Sequence, residues 1–166
     1  TNPPEPLTVQ PEPYDDTIPP AAPVDYISPV SRYGHLYVDG PQIKSTITGE
    51  NEQLRFVAIS SAKWFPTIKN NTIYNLAYHE KVDGIRLAMY GEYGTYDDPY
   101  LRPYLQEKTL EVINECIDAG IYCEISFHTH ATDFEIGGPA YDVEMDFYSW
   151  LLAQPVVAQA PPNLIF

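Results

Sequence analysis

Cations are scarce in this sequence: nine Lys and Arg stand against 23 Asp and Glu, for a formal net charge of −14. Such a surface repels phosphate backbones and anionic lipid headgroups, so nucleic acid is not an expected partner. Long apolar runs are missing too. No stretch approaches the roughly 18 residues that a bilayer span requires, and no membrane span is expected. The N-terminus Thr1-Asn2-Pro3-Pro4 carries neither a basic region nor an apolar segment, and the expectation is that any export leader has already been removed. Cysteine is limited to Cys116 and Cys123, too few for a disulfide scaffold or a zinc site. Two readings of that pair stand: one bond across a helix-to-strand corner, or two free buried thiols.

Aromatic side chains are plentiful, with 14 Tyr, 6 Phe and 2 Trp in a chain that is 44% hydrophobic. That composition is globular, and most of the rings are expected in a core. The remainder suit stacking on the apolar faces of sugar rings. Asn70-Asn71-Thr72 is an N-glycosylation sequon with Asn70 as its acceptor. With the cysteine pair it points to an extracellular, secreted setting.

Residues 1–29 hold nine of the 17 prolines, five acidic residues and no basic one. A stretch of that kind closes no hydrogen-bond ladder, and it reads as an extended acidic linker or arm. Tyr14, Tyr26 and Ile27 offer an alternative in which the arm is anchored along the domain surface. The globular region is expected over 30–166. It opens with a hairpin, Leu36-Tyr37-Val38 and Gln42-Ile43 joined by Asp39-Gly40, whose glycine supplies a positive φ. Strands are then expected over 54–59, 84–89 and 121–127 and from residue 163 to 166, with helices over 71–80, 103–119 and 141–152. The middle helix is the clearest: Pro103 fits a first turn, Leu105, Leu110, Val112, Ile113 and Ile117 supply an apolar face, and Gly120 fits a C-cap. This alternation predicts an α/β fold with parallel strands, a (β/α) barrel of the TIM type in which four strands and three helices make up about half.

In such a barrel the chemistry sits at the C-terminal ends of the strands. Those positions hold Ser60, Ser61 and Trp64 after the first strand, Arg86 and Tyr90 on the second, and His128 and His130 after the third. Arg86 is the most informative, because a guanidinium within an apolar strand calls for a carboxylate converging on it. His128 and His130 share a face, and without a third ligand nearby they read as hydrogen-bonded histidines rather than a metal pair. No cofactor is expected.

The run Pro29-Val30-Ser31-Arg32-Tyr33-Gly34, the hairpin, Ser60-Ser61 with Trp64-Phe65, the strand Ile85-Arg86-Leu87-Ala88-Met89-Tyr90, and Asp118-Ala119-Gly120-Ile121-Tyr122 leading to His128 together resemble glycoside hydrolase family 5 endoglucanases over residues 29–166. The resemblance implies that Arg86 orients the nucleophilic glutamate, that His128 lines the substrate cleft, and that Trp64 and Tyr90 line sugar subsites, with His130 beside them. It further implies retaining hydrolysis of β-glucan by two glutamates about 5 Å apart. The family's acid/base follows an Asn at the end of its fourth strand, which this resemblance places about five residues past Phe166. Glu124 falls in mid-strand, Glu92, Asp133 and Glu135 fall on loops, and none follows an Asn, so neither catalytic glutamate is expected within these residues.

Departures from the family's pattern are Ala62-Lys63 where a histidine is usual, Glu80-Lys81-Val82-Asp83 in place of Trp-Gly-X-Asn, and Ser126-Phe127 in place of Asp-Trp. Two functions follow as expectations, ahead of a third, a sugar-binding module without catalysis. One is part of a secreted endo-β-1,4-glucanase whose glutamates lie elsewhere. The other is a non-catalytic extracellular structural or assembly subunit built on the same fold. Both require completion of the barrel by a second chain carrying the remaining strands, by further copies, or by the proline-rich arm lying along an edge, since an open parallel sheet exposes two edges.

Overall fold

The computed structural model describes residues 19–59, 62–90, 96–128 and 135–166, with the side chains of 62–64 outside that description. It opens with α1 (Pro29–Tyr33), then a hairpin of β1 (Leu36–Asp39) and β2 (Gln42–Ser45). There follow β3 (Phe56–Ile59), a 3-10 segment over Ala62–Thr67, α2 (Thr72–Tyr78), β4 (Gly84–Tyr90), α3 (Arg102–Ala119), β5 (Tyr122–His128), α4 (Pro139–Leu152), α5 (Pro155–Ala158) and β6 (Leu164–Ile165). Strands β3 to β6 form one parallel sheet in sequential order. Helices α2, α3 and α4 connect them, which is the expected half of a (β/α) barrel, preceded by the expected hairpin.

Local sequence explains the elements. Helix α3 begins with Pro103 in its first turn, where a missing N–H is harmless, and ends at Gly120, whose φ of 69° lets its N–H reach the carbonyls of Cys116 and Ile117. Leu105, Thr109, Val112, Ile113, Cys116 and Ala119 recur every three or four residues and form its buried stripe. Thr109 joins that stripe because its hydroxyl donates to the Leu105 carbonyl at 2.7 Å. Helix α4 starts two residues ahead of the expected 141, because Pro139 fits its first turn as Pro103 does in α3. Strand β3 is shorter than the expected 54–59, beginning at Phe56.

The pleat of β4 and β5 sorts side chains onto two faces. Ile85, Leu87, Met89, Cys123 and Ile125 pack outward into a core with Ile73 and Ala77 of α2, Val112, Ile113 and Cys116 of α3, and Phe147 and Leu151 of α4. Phe147 is its aromatic hub, fully buried, with ring centroids 5.1 Å from Tyr96 and 5.5 Å from Phe127. Cys116 and Cys123 are both buried and both free.

Beneath the sheet, the residues before the hairpin are fastened to the α3–β5 corner. The Tyr26 hydroxyl donates to the Ala119 carbonyl at 2.9 Å, and its ring stands edge-on to Tyr78. Val30 N–H donates to the Gly120 carbonyl at 3.0 Å. The Tyr122 hydroxyl donates to the Gly34 carbonyl at 2.6 Å. Burial pushes both tyrosines up to about 12, so these hydroxyls remain donors through the neutral range. Gly84 is required where Phe56 crosses the sheet, since a Cβ there would lie 2.6 Å from the Phe56 Cζ and 2.7 Å from the Tyr122 carbonyl oxygen.

Candidate active site

The inner face of the sheet carries the polar residues. Parallel register sets Arg86 beside Glu124, Ala88 beside Ser126 and Tyr90 beside His128, in rows that climb towards the C-terminal strand ends. In the deepest of these rows Arg86 Nε donates to Glu124 Oε1 at 3.1 Å and to Ser126 Oγ at 3.1 Å. Glu124 is thus the carboxylate that Arg86 called for. The guanidinium is half-exposed rather than buried, with side-chain exposures of 37% for Arg86 and 35% for Glu124. Four strands bound only part of the interior around it.

Four residues further along β4, about 13 Å at the rise of an extended strand, Tyr90 meets His128 at the mouth. Their ring centroids are 4.7 Å apart and the planes are inclined by 44°. Both rings are partly exposed, which leaves aromatic surface for a ligand lying across the strand ends. Of the sequence-derived candidates, Arg86, Tyr90 and His128 therefore share one face. Ser60, Ser61, Glu92, His130 and Asp133 lie outside the described residues, as does the Trp64 side chain. Glu135 is exposed ahead of α4.

The arrangement offers a cation held by a carboxylate and a hydroxyl beneath an aromatic and imidazole rim. Such a set can orient an anionic group and stack a flat, hydroxyl-rich ligand. Among the described residues, no three His, Cys, Asp or Glu side chains come together as a metal site would need, and no helix is long and apolar enough to cross a membrane. Asn70 is exposed at the turn before α2, where the Thr72 hydroxyl accepts from the Lys69 N–H at 2.8 Å.

A parallel sheet in sequential strand order, with polar residues gathered on the inner face at its strand ends, defines a segment of a (β/α) barrel. Residues 45–165 match the family described as Cellulase (glycosyl hydrolase family 5), and the chain belongs to that family. An endoglucanase of Halalkalibacter akibai is 33% identical over 113 residues, covering 67% of this chain and 14% of that protein. Cellulase CelDZ1 of a Thermoanaerobacterium species is 34% identical over 95 residues, covering 56% and 24%. The catalytic domain of the Thermobifida fusca endoglucanase Cel5A shares the fold, with a TM-score of 0.70 at 24% identity over 83% of this chain and 43% of that one. A halotolerant family 5 cellulase from an Icelandic hot spring isolate superposes with a TM-score of 0.66 at 25% identity, covering 81% and 40%. The chain spans less than half the length of each of these relatives.

Proposed function

We propose that these residues form the N-terminal half of the catalytic barrel of a secreted endo-β-1,4-glucanase that hydrolyses β-glucan with retention of anomeric configuration. The observation that carries the reading is Arg86 on the inner face of β4 beneath the Tyr90–His128 rim. In a double displacement, one carboxylate attacks the anomeric carbon while a carboxylic acid protonates the departing oxygen. Water then releases the glycosyl group with that second residue acting as base. Both glutamates would be supplied by strands outside these 166 residues, which would also pair the open edges of β3 and β6. Arg86 would donate to the nucleophile, keeping it ionised and aimed. Trp64, Tyr90, His128 and His130 would line the sugar subsites, and Asn70 would accept a glycan.

The test is hydrolysis of carboxymethylcellulose by the native polypeptide that carries this segment, with the product anomer followed by proton NMR. Release of β-configured reducing ends is expected, together with a loss of about 100-fold or more in kcat for Arg86→Ala. Absence of hydrolysis would overturn the reading. It would favour a non-catalytic extracellular assembly subunit, for which one observation also speaks: Arg86 already has an anionic partner in Glu124 and needs no nucleophile to balance its charge.

A further inference from the structure

We infer that Glu124 is a positioning residue for the glycosidic reaction, acting through Arg86 from two rows below the rim; the inference rests on the glucanase reading above. Three observations converge. Register places Glu124 directly beside Arg86 on the neighbouring strand, at the separation of adjacent strands, about 4.8 Å. Both side chains face the barrel interior, where Glu124 Oε1 and Ser126 Oγ each accept from the same Arg86 Nε at 3.1 Å. Ser126 lies one inward position nearer the mouth than Glu124 on the same strand, so the two acceptors grip the guanidinium from successive rows of a single wall.

An arginine side chain has four rotatable bonds and, unheld, spreads its head over many rotamers. Anchoring Nε leaves the two terminal nitrogens for an acceptor on the far wall of the barrel, and the planar fork suits a carboxylate there. The role of Glu124 is then to fix where the fork points, without touching the sugar. Ser126 supports it with a neutral acceptor, and a carboxylate introduced at position 126 would reach the same Nε, since the Ser126 Oγ already lies 3.1 Å from it.

The experiment is steady-state kinetics on a soluble β-glucan with the native polypeptide and its Glu124→Ala, Glu124→Gln and Glu124→Ala/Ser126→Asp forms, each checked for an unchanged thermal midpoint. Glu124→Ala is expected to lower kcat about 10-fold with KM within about twofold. Glu124→Gln, which keeps an acceptor and loses the charge, should fall between and serves if the alanine form does not fold. The double variant should recover kcat to within about threefold of the parent, a rescue that a merely structural role would not produce. An active parent with undiminished kcat in Glu124→Ala, or a loss that Ser126→Asp fails to repair, would overturn the inference alone. An inactive parent would overturn the glucanase reading and this inference with it.

Discussion

Gly84 gives the sharpest test of how the sheet is seated on its inner face. Replacing it by alanine adds a methyl group 2.6 Å from the Phe56 Cζ, 2.8 Å from the Phe56 Cε1 and 2.7 Å from the Tyr122 carbonyl oxygen, against ordinary carbon contacts of about 3.5–4.0 Å. The ring can swing aside, but the carbonyl belongs to the paired strand β5 and moves only with the register that joins Gly84 to Tyr122. Overpacking against such a site costs about 1–3 kcal/mol, and the backbone contact puts the expected value near the middle, about 2 kcal/mol. With a urea m-value of about 2 kcal/mol/M, the denaturation midpoint should fall by about 1 M. Phe56→Leu removes the outer ring atoms, so the double variant should cost less than the sum of the single changes by about 0.5–1 kcal/mol. A Gly84→Ala midpoint within about 0.2 M of the parent, or strict additivity with Phe56→Leu, would refute the account of the close approach.

Three further outcomes follow from buried groups. Glu115 has its carboxyl raised to about 7, first by burial and then by the Glu111 charge, and its Oε2 has no hydrogen-bond partner. An acid with a raised folded pKa stabilises below its unfolded value near 4.5 and loses that contribution as pH climbs through about 7. Glu115→Gln should therefore be neutral at acid pH and raise stability by about 1–2 kcal/mol in the alkaline range, measured by urea titration at both ends. Phe147→Ala, at the fully buried hub of the aromatic cluster, should cost about 3–5 kcal/mol by the same assay. Burial, reinforced by Cys123, pushes the Cys116 thiol well up, so a thiol reagent should label neither cysteine in the native protein and both after unfolding; rapid native labelling would contradict the packing of α3 on β5.

The hairpin, β4 and α3 are legible in the sequence because each carries several signals that agree: Asp39-Gly40 between apolar runs, an apolar strand broken by a single arginine, and a proline-to-glycine frame around an amphipathic stripe. Helices α1 and α5 escape a periodicity reading, being only five and four residues long. A signal for α1 was nevertheless present, since Ser28 caps the Ser31 N–H and Pro29 opens the first turn. At the site, the arginine's demand for an anion was readable from residue type alone, whereas the answer was not. Glu124 looked like an ordinary mid-strand residue, because the register that sets it beside Arg86 is fixed by the outward packing of Ile85, Leu87, Cys123 and Ile125 on the helices. Tyr90 and His128 were both expected at strand ends, but their pairing likewise depends on register.

The fastening of the N-terminal segment to the α3–β5 corner bears on the order in which the molecule assembles. Its two tyrosine hydrogen bonds join residues 93 and 88 positions apart, so neither forms until the intervening hairpin, two parallel strands and two crossover helices have been made. Contacts of such wide separation carry a large loop-closure cost and fall on the late side of the folding barrier. Weakening them, as in Tyr26→Phe or Tyr122→Phe, would then quicken unfolding and leave the folding rate almost untouched. On the ribosome the consequence is an inversion: residues 26–34 emerge early, yet their resting place is not built until β5 has been synthesised.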